Sequence, residues 1–228
     1  MTIPVLYEDR SILICVKPRG VLSEEHPTQP CLPALLREQT GRKQFFCVHR
    51  LDRDTGGVTV LAKDGKAAAR LSELMAAGAA EVPACEASQP AAFKEYLAVV
   101  HGAPDPAAGE MRDLLFHDKQ KNKTFVVQRM RGGVKEARLN YETLAAADGL
   151  SLVRIRLRTG RSHQIRVQFA SRKMPLAGDA KYGSPLRGQT PALWAYRLAF
   201  PWPAAPGGKI DCTAPPEEER FLRFGAKP

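Results

Sequence analysis

From Val153 to Arg158 the chain alternates strictly: Val153, Ile155 and Leu157 are interleaved with Arg154, Arg156 and Arg158. Successive side chains of a strand point to opposite faces, so this segment must bury one face and present three guanidinium groups on the other. A chain built around such a strand is sheet-based, with one charged face. Further strands are expected at Val5–Tyr7 and Ile12–Val16, joined as a hairpin, and at Gly57–Ala62, Phe93–Val100, Thr124–Gln128, Ala137–Thr143 and Leu193–Phe200. Helices are expected at Leu32–Glu38 and Lys66–Ala80, and from a cap at Ser162 to about Ser171. The Ala/Pro-rich stretch 81–92 is aperiodic and reads as an exposed loop. The expectation is an α+β fold with a mixed, mainly antiparallel central β-sheet and flanking helices and loops, forming one domain over residues 1–228.

The charge is concentrated. Of 34 Lys+Arg in 228 residues, seven fall in residues 119–138 (Lys119, Lys121, Lys123, Arg129, Arg131, Lys135, Arg138) and seven in 154–173. The first group meets only Glu136 and the second meets no acid, within a net charge of +10. A concentrated basic surface is the footprint of a polyanion binder, and Arg suits phosphate and base recognition better than Lys. A solvated face is the bland alternative.

Other classes fall away. No apolar run approaches the ~18 residues of a membrane span, and the N-terminus reaches Glu8-Asp9-Arg10 too soon for a signal peptide. The five cysteines are scattered without a CxxC pair, which fits a reducing, cytoplasmic setting rather than a disulfide framework or zinc site. His26, His49, His101, His117 and His163 never share a short ligand spacing, so no metal is expected. Nucleotide-binding glycine motifs, HExxH and GxSxG are all missing.

Two segments concentrate reactive side chains. The first is His49-Arg50-Leu51-Asp52-Arg53-Asp54-Thr55-Gly56-Gly57, whose Gly-Gly allows a tight turn. The second is Arg158-Thr159-Gly160-Arg161-Ser162-His163-Gln164-Ile165-Arg166-Val167, in which His163 and Arg166 share a helix face. Taken alone, the first could be a salt-bridged hairpin loop and the second a capped helix start.

Together they resemble the RluA-type pseudouridine synthases, whose signatures read HRLDxxTSG and TGRTHQIRVH. Lys94-Glu95-Tyr96-Leu97-Ala98 is similar to the family's KxYxA strand, Lys17-Pro18-x-Gly20 to its NKPxG element and Gly178-Asp179-x-x-Tyr182-Gly183 to its GDxxYG turn. The matches run in family order from about residue 16 to residue 200. Val16 stands for the usual Asn, Gly56 for Ser, Ser162 for Thr, Gln168 for His, and Trp194 for the His of the late LHA element.

The resemblance implies the pseudouridine synthase catalytic-domain fold, without the N-terminal RNA-binding module of some relatives. It implies isomerisation of uridine in structured rRNA or tRNA by base flipping, with no cofactor and no metal. Asp52 would be the catalytic carboxylate, by sugar attack or a glycal route. Arg166 would pair with it, Tyr96 would stack on the uracil, and Arg50 would fill the space the flipped nucleotide leaves. Flipping costs a few kcal/mol and least at unpaired sites, so unpaired uridines are the expected targets. Further RNA contacts are expected from His49, Arg53, Arg154, Arg156, Arg158, Arg161, His163, Lys119, Lys121 and Lys123, on a monomer. The rival readings are a non-catalytic RNA-binding or ribosome-assembly protein with the same fold, and a glycosidase acting on the same bond.

Overall fold

The computed structural model describes residues 1–77 and 92–225, so the expected 81–92 loop lies, but for Ala92, outside the described residues. The chain divides into two compact units, Met1–Lys94 with Ala195–Pro215, and Glu95–Trp194 with Pro216–Pro228.

In the first unit, β1 (Val5–Glu8), β2 (Ile12–Lys17), β4 (Gly56–Ala62) and β10 (Leu193–Pro201) are successive neighbours, with β3 (Phe46–Cys47) added to β4 and β11 (Lys209–Thr213) to β10. The expected β1–β2 hairpin is present, and β2 pairs antiparallel with β4 from Ile12↔Ala62 to Lys17↔Gly57. β2 is a continuous apolar run because both of its faces are covered. Ile12 and Ile14 pack with Val58 and Val60 against Ala67 and Leu71 of α2 (Gly65–Ala77). Leu13 and Cys15 pack with Leu61 against Leu32 and Leu36 of α1 (Leu32–Thr40). Pro33 sits in the first turn of α1, where no N–H is needed, and Gly41 ends it with φ +71°, its N–H bonding the Arg37 carbonyl.

In the second unit the strand order is β5 (Phe93–His101), β9 (Leu150–Leu157), β8 (Val134–Ala147), β6 (Ala108–Asp118) and β7 (Lys123–Val127). The ladders β6–β7, β6–β8 and β8–β9 are all antiparallel. β9 alternates as its sequence dictates: Val153 and Ile155 are buried while Arg156 and Arg158 keep solvent contact. β8 runs past the expected Thr143 because Asp148 and Gly149 both adopt positive φ (52° and 71°) and close a two-residue hairpin. β3, β6, β11 and the short α4 (Glu219–Leu222) are not among the elements expected from the sequence. In β6 only Met111 and Leu115 are deeply buried, while Glu110, Arg112 and Asp113 interrupt any apolar alternation.

The helix α3 covers Gln164–Ser171, but its cap differs from expectation. His163, not Ser162, holds the cap position, in the left-handed region at φ 53° and with no side-chain cap bond. Ser162 instead offers its carbonyl to the Thr124 hydroxyl at 2.8 Å. The fold is thus α+β with a mainly antiparallel sheet, as the sequence led one to expect.

Candidate active site

Asp52 lies in the first unit, on the loop between β3 and β4, and is half-buried. The turn around it spans 52–55 and is closed by the Thr55 N–H on the Asp52 carbonyl at 3.0 Å. Gly56 and Gly57 lie past that turn and open β4, in line with the strand expected from Gly57. Gly57 has φ +116°, and a Cβ there would overlap the Ala195 backbone carbonyl, so only glycine permits this close approach.

Lys17 lies fully buried beneath the loop, its ammonium donating to the carbonyls of Val21 (2.7 Å), Pro18 (3.0 Å) and Arg53 (3.1 Å). Burial lowers its pKa to about 8, with the charges of Asp52 and Asp54 opposing that shift.

The other expected residues of this loop behave differently from one another. Arg50 is exposed and bonds Glu24 at 2.8 Å. Arg53 is exposed and lies 3.4 Å from Asp54. His49 is half-buried: its Nε2 accepts the Val60 N–H at 3.3 Å and lies 3.2 Å from the Thr59 hydroxyl. Burial, with the Lys94 charge, holds its pKa well below the usual histidine value, so the ring is neutral and props the loop against β4.

Tyr96 and Arg166 belong to the second unit. Tyr96 is buried on β5. Arg166 projects from α3 into a bidentate pair with Asp179, Nε to Oδ2 at 2.6 Å and Nη2 to Oδ1 at 2.8 Å, both residues buried. Two parallel charged hydrogen bonds fix the guanidinium plane as well as its position. The same guanidinium lies 5.1 Å from the centroid of the Tyr182 ring. The Tyr182 hydroxyl receives the Thr124 N–H at 2.8 Å and lies 2.9 Å from His163 Nδ1. Burial raises the Tyr182 pKa, opposed by the Thr124 backbone bond and the Arg166 charge, so the hydroxyl stays protonated. Lys123 completes the cluster, its ammonium 5.3 Å from the Tyr182 centroid.

Asp179 and Tyr182 are thus members of the Arg166 cluster that the sequence signalled only as a turn motif. His163 and Arg166 both meet Tyr182, but His163 lies at the cap in the left-handed region rather than within the helix, so the two do not share a helix face as their spacing suggests.

The basic residues are partly internally compensated. Glu136 pairs with both Arg112 and Arg138, and the Glu136 carbonyl accepts from Arg161 at 2.9 Å. Arg154 meets Glu142 at 3.4 Å and Arg158 donates to Asn140 at 2.7 Å. Lys119 and Lys121 stand exposed in the β6–β7 connection, Lys121 being 3.9 Å from Asp118. Among the described residues, no group of three or more His, Cys, Asp or Glu side chains is placed to hold a metal ion.

A family model described as RNA pseudouridylate synthase matches residues 11–171, and the chain belongs to that family. It is 36% identical over 196 residues to the dual-specificity RNA pseudouridine synthase RluA of Escherichia coli O157:H7, covering 83% of this chain and 81% of that protein. It is 30% identical over 210 residues to the ribosomal large subunit pseudouridine synthase D of Borreliella burgdorferi, covering 86% of this chain but 60% of that relative's length. The solved structure titled human RNA pseudouridylate synthase domain containing 4 is similar with a TM-score of 0.74 at 24% identity, over 97% of this chain and 92% of that one, a likeness of fold.

Proposed function

We propose that this protein is an RNA pseudouridine synthase, an isomerase that converts uridines of rRNA or tRNA into pseudouridines. What carries the reading is the presence of Asp52, Tyr96 and Arg166 at the motif positions of a chain in this family. The chemistry breaks the N1–C1′ bond, turns the uracil and forms a C5–C1′ bond; the C5 proton leaves and N1 gains one. Nothing is oxidised or added, so neither cofactor nor metal is called for.

In this reading Asp52 is the carboxylate that acts at the sugar, Arg166 is the cation that keeps a partly desolvated carboxylate charged, and Tyr96 stacks on the base. Arg50 and Arg53, exposed on the Asp52 loop, contact the RNA, while the neutral His49 holds the loop from behind. Lys119, Lys121, Lys123, Arg154, Arg156, Arg158, Arg161 and His163 supply phosphate contacts. The protein works in this reading as a monomer in the cytoplasm. Against a glycosidase, the set retains Tyr96 to hold the detached uracil for rejoining.

The test is release of tritium from rRNA and tRNA transcripts labelled at uracil C5. Wild-type protein is expected to release tritium into water while leaving the RNA chain intact, and Asp52→Asn to release none. No release by wild type from either RNA, or release as free uracil, would overturn the proposal.

A further inference from the structure

The backbone that carries Asp52 is held by a second loop, residues 18–23 between β2 and α1. Ser23 is 5% exposed and bonds both backbone groups of Leu51, the residue just before Asp52. Its hydroxyl donates to the Leu51 carbonyl at 2.9 Å and accepts the Leu51 N–H at 3.0 Å. On the far side of Asp52, the Gly20 N–H bonds the Arg53 carbonyl at 2.9 Å, joined there by Lys17, and the Arg19 guanidinium bonds the Asp54 carbonyl. At the start of the loop the Cys47 thiol donates to the carbonyl of Ser23 itself at 2.6 Å.

Leu51 is itself buried, so neither of its backbone groups has water as a substitute partner. A loop residue has no ladder to fix its φ and ψ, and here one hydroxyl does the work of a strand neighbour. Leu51 and Arg53 are both pinned while the Asp52 side chain between them stays half-buried and accessible. The reacting carboxylate therefore inherits its position from Ser23.

We infer that Ser23 is a positioning residue for Asp52, setting through Leu51 where the carboxylate meets the ribose. This rests on the isomerase reading above. Precise placement is what such a residue supplies, since a shift of about 1 Å can cost roughly 100-fold in rate.

The experiment compares Ser23→Ala, Ser23→Thr and Ser23→Cys with wild type. It reads the single-turnover rate on a target RNA, RNA affinity, and amide hydrogen exchange across residues 48–55. Ser23→Ala is expected to lower the single-turnover rate by about 10- to 100-fold, with RNA affinity unchanged and faster exchange at Leu51. Ser23→Thr, which keeps the hydroxyl, is expected to restore most of the rate. Ser23→Cys keeps the volume with a weaker hydrogen-bonding group and is expected to fall between, so the series remains readable if the alanine variant does not fold. Unchanged exchange at Leu51 in a folded variant, or a rate that falls only in step with affinity and is not rescued by threonine, overturns the inference. Wild-type inactivity on every RNA instead overturns the isomerase reading, because the exchange measurement does not depend on turnover.

Discussion

His49 and Arg166 show how burial of a basic side chain can be met in opposite ways. His49 is neutral because burial excludes its charge, so the unfolded chain takes up a proton near the ordinary histidine value of about 6.5 that the folded protein refuses. Protons bound preferentially by the unfolded state destabilise the fold, hence stability should drop as pH falls below about 6.5, by at most about 1.4 kcal/mol per pH unit from this group. Denaturant titrations of wild type and His49→Gln should show a shallower acid limb in the variant; equal slopes would contradict the assignment. Arg166 is the reverse case, a charge kept by burying its partner with it. Asp179→Asn removes the charge that accepts both hydrogen bonds of a buried guanidinium and should cost about 3 to 5 kcal/mol. Replacing both members with apolar residues should cost less than that single change, which a double-mutant cycle in urea would reveal. The partnership was not legible in the sequence, since Arg166 and Asp179 lie thirteen positions apart on different elements and a turn motif does not say where its carboxylate points.

At the scale of elements, the readable ones were those whose burial follows a simple period. β2 is apolar on both faces and β9 on one, and both stood out. β6 did not, because its polar residues are satisfied by neighbours distant in sequence: Asp113 takes bonds from Gln168 at 2.7 Å and Arg172 at 2.9 Å. The Asp148-Gly149 dipeptide was a signal for the β8–β9 hairpin that alternation alone passes over. The strand expected from Gly57 is present, but the need for glycine there comes from the neighbouring strand, invisible without the fold. Gly57→Ala meets both the positive φ and the Ala195 carbonyl. It should destabilise the first unit by several kcal/mol, on the order of the largest single-residue effects, and lower the thermal midpoint accordingly. A midpoint within a degree or so of wild type would contradict the close packing.

For the whole molecule, the excess of ten positive charges is spent unevenly. Glu136 and Glu142 compensate several arginines, which leaves the exposed lysines of the β6–β7 connection as the less encumbered phosphate contacts. RNA affinity should fall with salt at a logarithmic slope of roughly −0.7 to −0.9 per neutralised phosphate. Replacing Lys119, Lys121 and Lys123 together by alanine should reduce that slope by about 2 to 3, read by fluorescence anisotropy across a salt series. A slope unchanged by the triple substitution would move the RNA path elsewhere. The ordered motifs made the family legible from sequence, since each is local; which uridine the proposed isomerase would choose depends on how surface and RNA shape fit, which no local pattern encodes.

The most direct test of the central claim maps pseudouridines in total RNA from cells lacking this gene, rescued with wild type or with Asp52→Ala. The account predicts that at least one defined rRNA or tRNA site is lost, returns with wild type and stays absent with the variant. Restoration of the site by Asp52→Ala, or a pseudouridine map identical with and without the gene, would contradict it.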